Sequence, residues 1–513
     1  MSTKTKSIAR YSAMIAMILI LSKLVGTIRE FLIAAQFGAS IESDIFKIAT
    51  RIPNIFYGVV GAALTTSFMP IFAKLKTDTN KANDFFNNIL NILFIFSLVL
   101  VVFGMFFSTQ LIQTMASGFS SDQIEKTVLM TRIVMPSIIF LTLSGLYTGY
   151  LQSYGIFLQP ALTGIVSSII VIIGIIVFYQ FGIIAAIIAV LISSIAQMFV
   201  QRPFMPNYKY KMYINLKDKN VRMLIKLAIP TLISTAVNQI NVIVASDYAS
   251  KLSVGSISVV DNANKLSTLI SQVFIVSLTT VFYPMLTEKF AQDDKVGFEG
   301  LFVKSVNVVI LVAVPLVFGL AALATPIVRL TLGHGKYDAT AIYNTALCLK
   351  YLAFSALGYS LIDILSKTFY ATKDTITPML NGFVLITLNV VLVVVLAPRY
   401  GIVGLALAST ISAITIAIIM IVELKAKLKN VEFIKIAKVF AKSLITGILM
   451  MIIVSVSYKY VNMFIQKDNT VLIGIKILIV TIIGAVFYTL SLVFLKVKEL
   501  DFIFSFKTLK KKK

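Results

Sequence analysis

A chain of 513 residues that is 58% hydrophobic and 13% charged, with a mean hydropathy of +0.93, carries too few polar groups for a soluble globule. It reads as an all-α polytopic membrane protein. The formal net charge of +24 would suit nucleic acid, but the basic residues follow membrane topology, so no nucleic-acid partner is expected.

The single cysteine, Cys348, excludes an intrachain disulfide and a cysteine-based metal cluster. The single histidine, His334, sits in a polar Gly333-His334-Gly335-Lys336 turn and offers little to a zinc site or a serine–histidine triad. No GxxxxGK[ST] run occurs, which argues against an ATP-driven pump. No metal and no cofactor is expected beyond a monovalent cation.

The chain opens with Lys4, Lys6 and Arg10 and an apolar run that continues through Lys23 without a convincing cleavage site. It is therefore a retained first span, not a signal peptide. The stretch from Ser22 to Pro70 then organises the rest. It is apolar enough for a membrane, yet it holds Lys23, Arg29, Glu30, Asp44, Lys47 and Arg51. A charge at bilayer depth costs several kcal/mol and persists only against a partner, a cavity or a substrate. At about 100° per residue, Asp44, Lys47, Arg51, Asn54, Gly58, Gly61 and Thr65 share one helix face, and Ile45, Ile48, Ile52, Phe56 and Val59 take the rest. The preceding helix adds Ser22, Gly26 and Arg29, flanked by Lys23 and Glu30.

Apolar spans are expected near 10–36, 45–72, 85–107, 127–151, 158–180, 182–201, 223–250, 256–286, 301–325, 339–371, 376–397, 402–424, 434–461 and 471–496, about fourteen in all. An even count agrees with two cytoplasmic ends, the second marked by Lys507 and Lys510 to Lys513. Lysine-rich loops after the second, sixth, eighth and twelfth spans, such as Lys74-Leu75-Lys76 and Lys209 to Lys219, fall on that same side.

The chain repeats itself. Leu64-Thr65-Thr66-Ser67-Phe68-Met69-Pro70 returns 214 residues later as Leu278-Thr279-Thr280-Val281-Phe282-Tyr283-Pro284. That offset pairs Lys47 with Asp261 and Arg51 with Lys265. Tyr150 to Pro160 also matches Thr368 to Pro378, and Phe181-Gly182-Ile183 matches Tyr400-Gly401-Ile402. Two six-helix lobes, 1–214 and 215–430, are therefore expected, related by an axis along the membrane normal, with 431–513 adding two helices and a basic cytoplasmic tail.

Polar stripes on repeat-equivalent helices most simply line a central cavity. There Lys23, Arg29, Arg51 and Lys265, with Asn54, are the candidate substrate-binding residues, while Glu30, Asp44 and Asp261 balance charge or form gating pairs. A cationic, partly desolvated pocket suits a phosphate or diphosphate. Internal ion pairing is the competing reading for every one of these charges.

At this point the residues resemble a known family. Ser22-Lys23-Leu24-Val25-Gly26-Thr27-Ile28-Arg29-Glu30, Phe37-Gly38-Ala39, Arg51-Ile52-Pro53-Asn54, Ala263-Asn264-Lys265-Leu266, Gly335-Lys336-Tyr337 and Gly404 to Ser409 look like the MurJ (MviN) family of lipid II flippases, within the multidrug/oligosaccharidyl-lipid/polysaccharide exporter superfamily. The resemblance implies a transporter, not an enzyme. It would move the undecaprenyl-diphosphate-linked peptidoglycan precursor from the inner to the outer leaflet of the bacterial cytoplasmic membrane. The cell-wall synthesis machinery would be its partner, and the last two spans would form a groove for the lipid tail.

Lys23 and Lys265 stand where arginine is usual in that family, which keeps charge but not bidentate geometry. Relatives often carry an acid–arginine pair where this chain has Ala245-Ser246; Asn389 and Ser409 remain as cation-site candidates, and the membrane potential as the driving force. The alternatives are a flippase for another polyprenyl-diphosphate-linked glycan and a drug/cation antiporter, whose cavity would be acidic or aromatic.

Overall fold

The computed structural model describes residues 3–428, 431–466, 469–497 and 499–500, all helix and connecting turn with no strand among them. Lys507 and Lys510 to Lys513 lie outside the described residues, as do the side chains of Lys4, Lys6, Arg10 and Thr65.

Packing divides the chain into two units, Met1–Ser258 with Gly335–Tyr337, and Val259–His334 with Asp338–Lys513. The first holds α1 (Thr3–Phe37), α2 (Ile41–Leu75), α3 (Thr79–Phe106), α4 (Ser108–Met115), α5 (Ser121–Val134), α6 (Ser137–Ser153), α7 (Leu158–Val177), α8 (Ile183–Gln201) and α9 (Lys219–Ser250). The second holds all but the first turn of α10 (Ser256–Ala291), then α11 (Lys295–Ala322), α12 (Ala324–Leu332), α13 (Ala339–Ala371), α14 (Ile376–Tyr400), α15 (Ile402–Lys427), α16 (Phe433–Phe464) and α17 (Thr470–Phe494). The division at Ser258 falls later than the repeat boundary at 214 because α9 packs along α2.

Among the described residues eleven helical segments are long and apolar enough to cross a membrane, with α5 and α6 together making one. The protein is a polytopic membrane protein. The other three expected spans coincide with α1, α2 and α10, which run for 35, 35 and 36 residues and carry Lys23, Arg29, Glu30, Asp44, Lys47, Arg51, Asp261 and Lys265.

The duplication is written into the backbone. Asp78 caps α3, accepting from the amides of Asn80 and Lys81, and Asp294 caps α11, accepting from that of Gly297. The helices these aspartates start then break at matching places, Phe107 (φ −92°, ψ 14°) and Leu323 (φ −100°, ψ 16°). Gly182 (φ 61°, ψ −144°) and Gly401 (φ 58°, ψ −134°) open α8 and α15 in the same conformation. Phe68 and Phe282, equivalent by the 214-residue offset, are both fully buried. The repeated Leu-Thr-Thr-x-Phe-x-Pro motif is thus a packing motif.

In the first unit Phe68, Phe72, Phe86 and Tyr150 form an aromatic core where α2, α3 and α6 meet, with ring centroids 4.6 to 5.0 Å apart for Phe86–Tyr150, Phe72–Tyr150 and Phe68–Phe72. In the second, α13 packs on α11 and α15, and α16 joins α11 to α17.

Candidate functional site

Three charges of α1 and α2, Arg29, Glu30 and Lys47, converge at one place. Glu30 on α1 accepts from Lys47 Nζ on α2 at 2.6 Å and from Arg29 Nη2 at 2.8 Å. The carboxylate and the ammonium are nearly buried, with side chains 12% and 7% exposed, whereas Arg29 remains 30% exposed. Two cations share one carboxylate, so the trio carries one net positive charge. Arg29 Nε is buried and has no hydrogen-bond partner, an unmet donor in a cationic group. Lys23 is exposed on the same face of α1 as Glu30, seven residues and about 10 Å along the axis.

Below the trio on α2, Arg51 donates from Nη1 to Ser246 Oγ on α9, and a Cβ at Gly58 would lie 3.6 Å from Gln239 Nε2 on the same helix. The polar stripe of α2 therefore runs along α9 at these positions. Asn54, between them, is exposed and bonds only locally, Nδ2 to Thr50 O at 2.8 Å. Gly61 lies under the Tyr57 ring, which accounts for its small size.

Asp44 has a different role from its neighbours. It is 2% exposed, and its oxygens accept from the backbone amides of Gly255 and Ser258, each at 2.8 Å. It caps the N-terminus of α10, where orphan amides and the helix dipole favour a carboxylate. The turns around it are locked by close backbone approach. Gly335 has φ +61°, and a Cβ there would sit 2.2 Å from Ala35 O, the atom that accepts from Lys336 N–H at 2.7 Å. Gly255 (φ +85°) faces Ala39 O in the same way. Nearby, Asp247 binds Ser117 through its hydroxyl at 2.6 Å and Lys251 at 2.7 Å.

In the second unit Lys265 pairs with Asp261 one turn earlier on α10 at 2.9 Å, with the lysine side chain 44% exposed. Asn389 is buried and reaches Ser412 Oγ at 3.1 Å and Ser409 Oγ at 3.4 Å, a polar joint between α14 and α15. An apolar cavity of about 390 Å³ opens between α11, α16 and α17, lined by Leu311, Pro315, Gly319, Met450, Thr481 and Tyr488 among others.

Residues 33–496 match the family model described as lipid II flippase MurJ. The chain belongs to the lipid II flippase MurJ family. It is 29% identical over 412 residues to the probable lipid II flippase MurJ of Buchnera aphidicola subsp. Acyrthosiphon pisum, covering 78% of this chain and 80% of that one. It is 27% identical over 423 residues to the lipid II flippase MurJ of Burkholderia cenocepacia, covering 80% and 82%. Among solved structures, a lipid II flippase MurJ in an inward closed conformation superposes with a TM-score of 0.79 at 25% identity, over 93% of this chain and 98% of that one. A multidrug transporter of the MATE family in an inward-facing conformation superposes at 0.69 with 13% identity, over 80% and 95%, a likeness of fold alone.

Within this MurJ-family chain, sequence reasoning placed the charges on the right helices but missed two partnerships. Ser246, noted only as a departure from an acid–arginine pair, receives Arg51. The Asp44 contact joins residues more than 200 positions apart, and the only signal for it is that Ser258 is the repeat counterpart of Asp44.

Proposed function

We propose that the chain is a lipid II flippase of the bacterial plasma membrane, moving the lipid-linked peptidoglycan precursor from the inner to the outer leaflet by alternating access. The observation that carries this reading is the Arg29–Glu30–Lys47 trio: two cations on one carboxylate, partly desolvated, in a chain of this family. Surplus positive charge out of bulk water favours a diphosphate strongly. Arg29 offers its unused N–H groups to one phosphate, with Lys23 and Asn54 within the same region of α1 and α2; Lys265 provides a second cationic station on α10. In this reading α1, α2 and α10 are spans, giving fourteen, and both termini are cytoplasmic. The apolar cavity beside α16 and α17 receives part of the lipid tail.

No nucleotide is needed. Two negative charges moving outward across an inside-negative membrane gain roughly 2.3 kcal/mol per charge per 100 mV, or about 4–5 kcal/mol if they cross the whole field. Coupling to a monovalent cation would use Asn389 and Ser409. The released precursor passes to the cell-wall synthesis machinery.

The test is complementation of a bacterium depleted of its own lipid II flippase by the wild type, Arg29→Ala and Lys265→Ala. The wild type restores growth and both variants, present in the membrane at equal level, do not. Rescue by both variants would overturn the site, and failure of a membrane-localised wild type would overturn the substrate.

A further inference from the structure

The segment between α8 and α9 is held in an extended conformation by a ladder of asparagines on α3. Asn83 Nδ2 donates to Asn207 O at 2.9 Å and Asn87 Nδ2 to Lys209 O at 2.8 Å. Asn91 Nδ2 bonds both Lys211 O and Tyr213 O, at 3.2 and 3.1 Å. The chain then turns back, for Asn88 exchanges two bonds with the Asn215 backbone at 2.9 and 2.7 Å. Tyr208 and Tyr210 add their hydroxyls to Asn87 and Asn91. A chain segment that satisfies its carbonyls on side chains in this way has a fixed path.

That path descends along α3 and has its apex at residues 211–213, beside Asn91. Three residues further on, α3 begins its run of exposed apolar side chains, Phe94, Ile95, Phe96, Leu98 and Val99, the surface expected against hydrocarbon. The apex is thus at the edge of the apolar layer. Its outward side chains are unusual for a soluble loop: Met212 is 78% exposed, Leu216 60% and Tyr210 58%. Lys209, Lys211 and Lys217 stand exposed around them. The facing acids are Asp84, 3.6 Å from Lys211, and Asp218, whose carboxylate is occupied in capping α9. An apolar tip with basic shoulders at that depth matches a phospholipid surface of opposite charge, the tip entering the acyl boundary and the lysines meeting phosphates.

We infer that the strap of residues 207–217 is a membrane-surface anchor that docks on anionic phospholipid headgroups of the leaflet at the N-terminal end of α3, with Met212 inserted and Lys209, Lys211 and Lys217 as the headgroup contacts. The chain contains no tryptophan, so Met212→Trp gives a single reporter at the apex. The full-length variant is reconstituted in phosphatidylcholine vesicles with and without 30% phosphatidylglycerol, each containing lipid brominated near the headgroup. Quenching at least twofold stronger with phosphatidylglycerol is expected, and Lys209→Gln/Lys211→Gln/Lys217→Gln in the same background removes the difference. Phe96→Trp, on the exposed apolar face of α3, quenches in both vesicles and certifies insertion and folding. With that control satisfied, a Met212→Trp reporter left unquenched in both vesicles overturns the inference. So does equal quenching in the two, or a lipid dependence that survives the triple substitution.

Discussion

Asp44 accepts a hydrogen bond at 2.8 Å from the backbone amide of Ser258, the residue that stands 214 positions later and is its own counterpart in the sequence repeat. The starts of two duplicated helices, α2 and α10, are thereby joined by one carboxylate. A self-complementary contact of this kind is economical, since duplication supplies two helix starts and a single acid on one of them ties the other. It also ties a buried charge to backbone dipoles and not to a mobile cation.

Asp44→Ala leaves the amides of Gly255 and Ser258 buried without acceptors, at a cost of about 1.5–3 kcal/mol for charge-assisted bonds. Asp44→Asn keeps one oxygen and loses less. The expected order of thermal midpoints for detergent-purified protein is wild type, then Asn, then Ala; an Ala variant as stable as the wild type would remove the capping role.

The trio predicts a split between charge and shape. Lys47→Met removes one of two cations and leaves Arg29 neutralised by Glu30, so surplus charge vanishes and complementation is lost. Lys47→Arg restores it. Because Glu30 and Lys47 are nearly buried, Lys47→Met also destabilises by about 3 kcal/mol, and Glu30→Gln in the same background removes the unpaired carboxylate, recovers stability and restores the single surplus positive charge on Arg29, so complementation is expected to return. A stabilised double variant that reached the membrane and failed to complement would show that net charge at this point is not what transport requires.

The contrast between what was and was not legible has a physical basis. Hydropathy and length are local, so helices coincide with all the expected spans, and a seven-residue repeat with five identical positions establishes the equivalence of α2 and α10. Pairing depends on how helices rotate against each other, which no single helix encodes. Glu30 could be placed beside Arg29 by adjacency, but Lys47, seventeen residues away on another helix, reaches it only through the α1–α2 turn. The asparagine ladder did leave a trace, Asn83, Asn87 and Asn91 at four-residue spacing with Asn88 beside them. What they bind, the backbone of a segment more than 100 residues later, has no signature in that segment.

Asn88 is the ladder's tightest rung, fully buried with both amide atoms used. Asn88→Ala strands the Asn215 amide and leaves its carbonyl only the Asp218 amide at 3.3 Å, at a cost of about 1–3 kcal/mol. Limited proteolysis after the lysines at 209, 211 and 217 is the sensitive readout. Cleavage there is expected to accelerate at least tenfold over the wild type, while cleavage at Lys289, in the last turn of α10, stays unchanged. Equal rates would mean that the strap is held by something other than the ladder.

The turn between α13 and α14 supplies a pH prediction with a definite sign. Asp374 lies outside the spans and accepts from Lys427 Nζ at 2.9 Å, from the Thr377 amide at 3.0 Å and from the Thr377 hydroxyl at 2.9 Å. The Lys427 hydrogen bond, followed by those from Thr377, holds the carboxyl down at about 2. The folded form thus has the lower pKa. The bridge's contribution is complete above the unfolded value of about 3.9 and is lost as pH falls through about 2. The carboxylate is 20% exposed and the ammonium 38%, so solvent screens the pair and it contributes no more than about 1 kcal/mol. Lys427→Met should therefore lower the thermal midpoint by a constant small amount from pH 8 down to about 4.5, and the gap to the wild type should narrow below that and close as pH falls through about 2. A gap that widened on acidification would show that the Asp374 carboxylate is not what Lys427 stabilises.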